Sequence, residues 1–115
     1  MQVRKVYVGV NPGLLFDELK EFVQKQGMVI DQAKLETYPV PNDSSSFVHR
    51  GTLSFRIAGE SEQGKECLRA HIVGQARTET KLIMDTDDQL FPADKLSRLQ
   101  EDLDFIFGSY EARGD

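Results

Sequence analysis

Leu53-Ser54-Phe55-Arg56-Ile57 alternates apolar and polar side chains, and the same period returns in Leu68-Arg69-Ala70-His71-Ile72 and in Lys81-Leu82-Ile83-Met84-Asp85. A period of two marks strands with one buried face. The buried faces are expected to be Leu53, Phe55 and Ile57, then Leu68, Ala70 and Ile72, then Leu82 and Met84. Gly59-Glu60-Ser61-Glu62-Gln63-Gly64 separates the first two strands and the short Arg77-Thr78-Glu79 turn the last two. Connections this short imply an antiparallel meander.

Upstream, Val6, Val8 and Val10 alternate with Lys5, Tyr7 and Gly9, which predicts a strand that buries the valines and turns Tyr7 outward. Asn11 then offers a helix N-cap, and Pro12 suits the first helical position, where its missing N–H costs nothing. The stripe Leu15, Phe16, Leu19, Phe22 and Val23 predicts an amphipathic helix that stops at Gly27. Alternation returns with Ala33, Leu35 and Thr37 on one face and Lys34, Glu36 and Tyr38 on the other. Pro39-Val40-Pro41-Asn42-Asp43-Ser44-Ser45-Ser46 then reads as an exposed, mobile loop, because two prolines do not fit a central strand.

Downstream, a helix is predicted from about Pro92 to Phe107, with Leu96, Leu99, Leu103, Ile106 and Tyr110 on its apolar stripe and Gly108 ending it. The order strand, helix, four strands, helix predicts an α+β, two-layer sandwich. Its mainly antiparallel five-stranded sheet would carry both helices on one face. The alternative is a helix-grip arrangement, with a more curved sheet wrapped around the last helix and enclosing a pocket. Residues 1–110 would form one domain and 111–115 a flexible C-terminal tail.

A chain of 115 residues has room for a single core. The lone Cys67 forbids an internal disulfide, so a reducing, cytoplasmic setting is expected. Met1-Gln2-Val3-Arg4-Lys5 and the five residues before Asn11-Pro12 are too short for a signal peptide's apolar region. No apolar run approaches the ~20 residues of a bilayer span, so no membrane partner is expected. The net charge of −5 disfavours a duplex-wrapping protein. It conceals an asymmetry, however: residues 1–57 balance at +1 and residues 58–115 at −6.

Gly9-Val10-Asn11-Pro12-Gly13-Leu14 resembles the Gly-Ile-Asn-Pro-Gly-Leu signature of the mismatch-specific uracil and thymine DNA glycosylases, in which the asparagine positions the attacking water. The likeness would imply a catalytic Asn11. It covers six residues, and that family needs a doubly wound parallel sheet and a second motif that supports the flipped base. An N-cap followed by a helix-opening proline accounts for the string without it. Free N–H groups at the same helix start would be a site for an anion.

Pairing Phe55 with Ala70 and Ile72 with Met84 places two polar rows across the outward face: Ser54, His71 and Asp85, then Arg56, Arg69 and Asp87. The first row has the residue types of a nucleophilic triad. A mid-strand serine, with its neighbouring amides committed to the ladder, lacks an oxyanion hole. No metal is expected: Cys67 and His71 stand about 13 Å apart on a strand, and Asp85-Thr86-Asp87-Asp88 lacks the glycine and distal glutamate of a calcium loop. Those aspartates would instead turn the chain ahead of the last helix.

The outward face is then expected to carry Tyr7, Lys34, Tyr38, Arg56, Arg69, His71 and Lys81, with Val73 opposite Ile83 near its centre. The first expectation is a small non-enzymatic interaction module without a cofactor, self-associating as a homodimer or docking a protein through this face, with Val73 and Ile83 at the interface. The second is an anionic ligand or single-stranded nucleic acid held by Tyr38, Arg56, Arg69, His71 and Lys81. The third is hydrolysis by Ser54, His71 and Asp85.

Overall fold

The computed structural model describes residues 1–59 and 65–112. The Gly59–Gly64 link falls, from residue 60 onward, outside the described residues, as do residues 113–115 of the tail. The elements run β1 (Gln2–Val8), α1 (Pro12–Lys25), β2 (Met28–Val40), β3 (Asp43–Ile57), β4 (Glu66–Gly74), β5 (Glu79–Thr86) and α2 (Ala93–Phe107), followed by a single 3-10 turn over Gly108–Tyr110. The strands form one antiparallel sheet in the order β1-β5-β4-β3-β2. Both helices cover one face of it, giving the two-layer α+β arrangement. No helix among the described residues is long and apolar enough to cross a membrane.

The start of α1 uses up its own donors. Asn11 Oδ1 accepts from the Gly13 N–H at 2.8 Å and the Leu14 N–H at 3.4 Å, Leu15 N–H donates to the Asn11 carbonyl, and Pro12 has no N–H. The apolar stripe Leu15, Phe16, Leu19, Phe22 and Val23 is buried. Gly27, at φ +92°, ends the helix in a conformation that other residues resist. Asp87 similarly organises the approach to α2, accepting from the Gln89 and Leu90 N–H groups at 2.9 and 3.0 Å.

The inward residues pair with inward residues, but not in the expected register. Leu53 stands opposite Ala70 and Phe55 opposite Leu68; Ala70 faces Met84 and Ile72 faces Leu82. Each pairing is displaced by two residues, which keeps every side chain on its face and changes every neighbour. Gly74 pairs with Thr80 at the top of β4, where an added Cβ would collide with the Glu79 carbonyl and Thr80. The turn that follows spans residues 75–78, ahead of the expected Arg77-Thr78-Glu79, and Glu79 already belongs to β5.

β1 presents the face opposite to the expected one. Val3 and Tyr7 are buried, whereas Val8 is exposed. Lys5 lies between them on the inner face because β1 is an edge strand: its stem is covered while its amine reaches Glu111 at 3.2 Å and Asp104 at 3.7 Å. Val10 is buried only because Gly9, at φ +79°, turns the chain after the strand has ended. The same edge is partly covered by Glu111, which bridges Tyr7, and by Ala112, whose N–H donates to the Val6 carbonyl at 2.7 Å.

The segment Pro39–Ser46 is not a loop but the tip of a long hairpin. β2 and β3 pair from Met28 opposite Ile57 to Val40 opposite Asp43. Pro41 and Asn42, the latter at φ +68°, make the turn. Prolines are tolerated because β2 is an edge strand. Asp31 is bulged out between Ile30 and Gln32, so Met28 and Ile30 stay on the same face as Ala33 and Leu35.

The helix layer meets the sheet closely at Gly51. A Cβ there would lie 2.8 Å from Phe16 Cδ2. Gly51→Ala is therefore expected to lower stability by about 1–3 kcal/mol through overpacking, measurable as a reduced midpoint in urea unfolding; an unchanged midpoint would contradict this packing.

Candidate functional site

The outward face of the sheet is ordered by the observed register. One row across it runs Gln2, Asp85, Arg69, Ser54 and Gln32; the next runs Arg4, Ile83, His71, Thr52 and Lys34; the third runs Val6, Lys81, Val73, Arg50 and Glu36. Ser54, His71 and Asp85 therefore do not share a row. Ser54 stands between Arg69 and Gln32, and His71 between Thr52 and Ile83. Ser54 is fully buried, and its hydroxyl has no partner among the described residues. Asp85 instead accepts from Gln2 Nε2 at 3.0 Å.

The expected cationic residues are interleaved with carboxylates. Arg69 forks onto Glu66, with Nη2 at 2.7 Å and Nε at 3.0 Å from Oε1. Arg56 stands opposite that same Glu66. Lys81 lies 3.8 Å from Glu79, and Lys34 lies 3.6 Å from Glu36. Tyr38 donates its hydroxyl to Glu36, and this bond, with Lys34 beside it, holds the Glu36 carboxyl below its ordinary range. The face is a mosaic of both signs.

Val73 and Ile83 are diagonal neighbours, with Lys81 opposite the first and His71 opposite the second. Val6 lies opposite Lys81 from the other side. The three are half-buried and form a small apolar centre. Tyr7, expected on this face, lies in the core, 5.8 Å from the Phe107 ring. Burial, with Glu111 and Asp104 nearby, pushes its ionisation well above the ordinary phenol value.

The alternation of the strands does not disclose a second surface. The described residues with large, exposed apolar side chains are Met1, Val8, Leu14, Leu35, Tyr38, Phe47, Phe105, Ile106 and Tyr110. All but Met1 lie toward one end of the molecule, where β1 finishes, α1 starts, the β2–β3 hairpin projects and α2 finishes. Phe105 is the extreme case at 91% exposed. The buried stripe of α2 is Leu96, Leu99, Leu103 and Phe107, so Ile106 is displaced from it. The run Phe105-Ile106-Phe107 was the available signal, because a helix can turn only one of three adjacent residues fully inward.

Concavities open at this end. An apolar cleft of about 330 Å³ separates the start of α1 from the end of α2, lined by Val10, Leu14, Ile106, Phe107 and Tyr110. A smaller groove of about 190 Å³ runs between the hairpin, at Phe47 and His49, and the β4–β5 turn at Gln75–Arg77. His49 Nδ1 lies 3.0 Å from Thr37 Oγ1 on the neighbouring strand.

No family model, curated protein or solved structure matches the chain.

Two side chains with reactive groups are sequestered from these surfaces. Burial pushes the Cys67 thiol up to about 11, so it is expected to resist a thiol reagent at pH 8 until the protein unfolds; rapid labelling of the native protein would contradict that burial. Tyr7→Phe removes a buried hydroxyl without a partner among the described residues, and is expected to leave the thermal midpoint unchanged or raised. A clear fall would show that the hydroxyl is bonded.

Proposed function

We propose that this chain is a non-enzymatic interaction module that docks protein through the end of the molecule carrying the exposed apolar side chains. One observation carries this reading: apolar exposure is concentrated there rather than scattered, with Leu14, Leu35, Tyr38, Phe47, Phe105, Ile106 and Tyr110 all at that end. Single exposed apolar residues are ordinary on a soluble surface, whereas their convergence around concave ground marks an interface.

The outward sheet face supports the reading less strongly as a docking surface. Its apolar centre is only Val6, Val73 and Ile83, half-buried among charged neighbours. As a site for an anionic ligand or single-stranded nucleic acid it presents cations already facing carboxylates, which reduces the attraction for phosphate. Burial of Ser54, one row from His71 and not opposite it, likewise favours an interaction role over hydrolysis.

The reading is tested by placing a photo-crosslinking phenylalanine analogue at Phe47, at Phe105 or at Arg56, the last on the outward face. Irradiation should yield protein adducts, with a copy of the chain or with another protein, several-fold more efficiently from Phe47 and Phe105 than from Arg56. Equal or greater yield from Arg56 would overturn the assignment of the docking end.

A further inference from the structure

The two edges of the sheet are unequal. The β1 edge is occupied at Val6 and Tyr7 by Ala112 and Glu111 of the chain's own C-terminal segment. The β2 edge carries no strand among the described residues. Its regular part is bounded by two irregularities, the bulged Asp31 and Pro39, which has no N–H to donate. The stretch between them, Gln32–Tyr38, has Leu35 at its midpoint.

From this we infer that a second copy of the chain pairs with the first, β2 against β2, about a two-fold axis through Leu35. The inference rests on the docking reading above, since Leu35 and Tyr38 belong to the apolar end, and it names the partner.

Charge supports the same centre independently. In an antiparallel pairing centred on Leu35, Lys34 of one copy stands opposite Glu36 of the other, and Glu36 opposite Lys34. Opposite charges in directly paired cross-strand positions attract. Leu35, 44% exposed in the single chain, meets its own counterpart on the helix side. Ala33 meets Thr37, and Gln32 meets Tyr38. Asp31 and Pro39 fall opposite each other, so neither irregularity interrupts the regular ladder. Sliding the pairing by one residue in either direction would put Lys34 opposite Leu35 or Leu35 opposite Glu36, and would lose both charge pairs.

Symmetry also fixes the size of the assembly. Each copy offers the same strand, so the contact is isologous and uses up the edge on both sides. The product is a closed dimer with a continuous ten-stranded sheet.

Two variants and their mixture test the pairing. Lys34→Glu sets a new glutamate against Glu36 of the other copy twice across the axis, and Glu36→Lys sets a new lysine against Lys34 twice. Each alone should dimerise roughly tenfold or more weakly than the parent in sedimentation equilibrium. An equimolar mixture of the two should recover parental affinity as a heterodimer, because only the mixed pair faces opposite charges across the axis. The Lys34–Glu36 contact within each chain stays broken in the mixture, so recovery cannot come from it. Leu35→Cys should in addition form an intermolecular disulfide on mild oxidation, since directly paired residues have Cα atoms about 4.5–5.5 Å apart, within disulfide reach. Val8→Cys, exposed on the other edge strand, should form none.

A dimer that ignores both charge variants and yields no Leu35→Cys disulfide would overturn the β2 pairing while leaving the docking end intact. A parent that stays monomeric at about 100 µM would overturn it as well, and crosslinking from Phe47 or Phe105 to another protein would then decide the docking reading separately. Crosslinking chiefly from Arg56 would overturn that reading itself.

Discussion

A proline followed by an asparagine in the left-handed region reverses the chain between Val40 and Asp43, and from that reversal β2 and β3 pair back to Met28 and Ile57. The remaining layers are fitted to this hairpin. α1, with 14 residues, extends about 21 Å at 1.5 Å per residue. β2, with 13 residues, extends about 43 Å at 3.3 Å per residue. A helix of that length cannot cover such a strand. The far part of the hairpin therefore stands clear of the helix layer, and Phe47, at an inward position there, stays exposed.

Where the layers do meet, shape decides the contact. Phe16 lies over Gly51, a glycine in mid-strand whose missing side chain lets the helix approach. Thr80, buried on the inner face, satisfies its hydroxyl by donating to the Val10 carbonyl at 2.8 Å, which ties β5 to the approach to α1. Lys25 meets Asp102 at 3.3 Å and joins the two helices at their surface, a contact of modest energy because it is exposed. The core thus runs the length of the helix layer, from Val3 and Met28 to Tyr7, Val10 and Phe107.

The fold class was legible because alternation and helical stripes survive any small sliding of strands. Phe55 and Ala70 were correctly placed on one face although they are not partners. Pairing itself was not legible, since a slide of two residues preserves face while exchanging every neighbour, and the Ser54, His71 and Asp85 row depended on that slide. β1 was inverted because Lys5 looks outward by polarity and is inward by position, with its amine carried to Glu111 at the edge. The hairpin tip was hidden by its composition: Pro39 and Pro41 exclude a central strand, and only the sheet order reveals that β2 is not one. For the apolar end the clue lay in Phe105-Ile106-Phe107, but its joining to Leu14 and Phe47 required the topology.

An uncovered strand edge presents unpaired backbone groups, and proteins blunt such edges with bulges, prolines and lysines. β2 has all three, in Asp31, Pro39 and Lys34, which would ordinarily speak against pairing. Their placement changes the meaning. The bulge and the proline lie at equal distances from Leu35, so they limit pairing to one stretch and select one register instead of forbidding association. Lys34 repels most strands laid against it, yet in that one register it faces Glu36. The opposite edge is already engaged at Val6 and Tyr7 by residues 111 and 112, which disfavours addition of a third copy there. The same devices that guard against open-ended growth therefore leave a single self-complementary contact, and a two-fold contact that consumes its own edge stops at two.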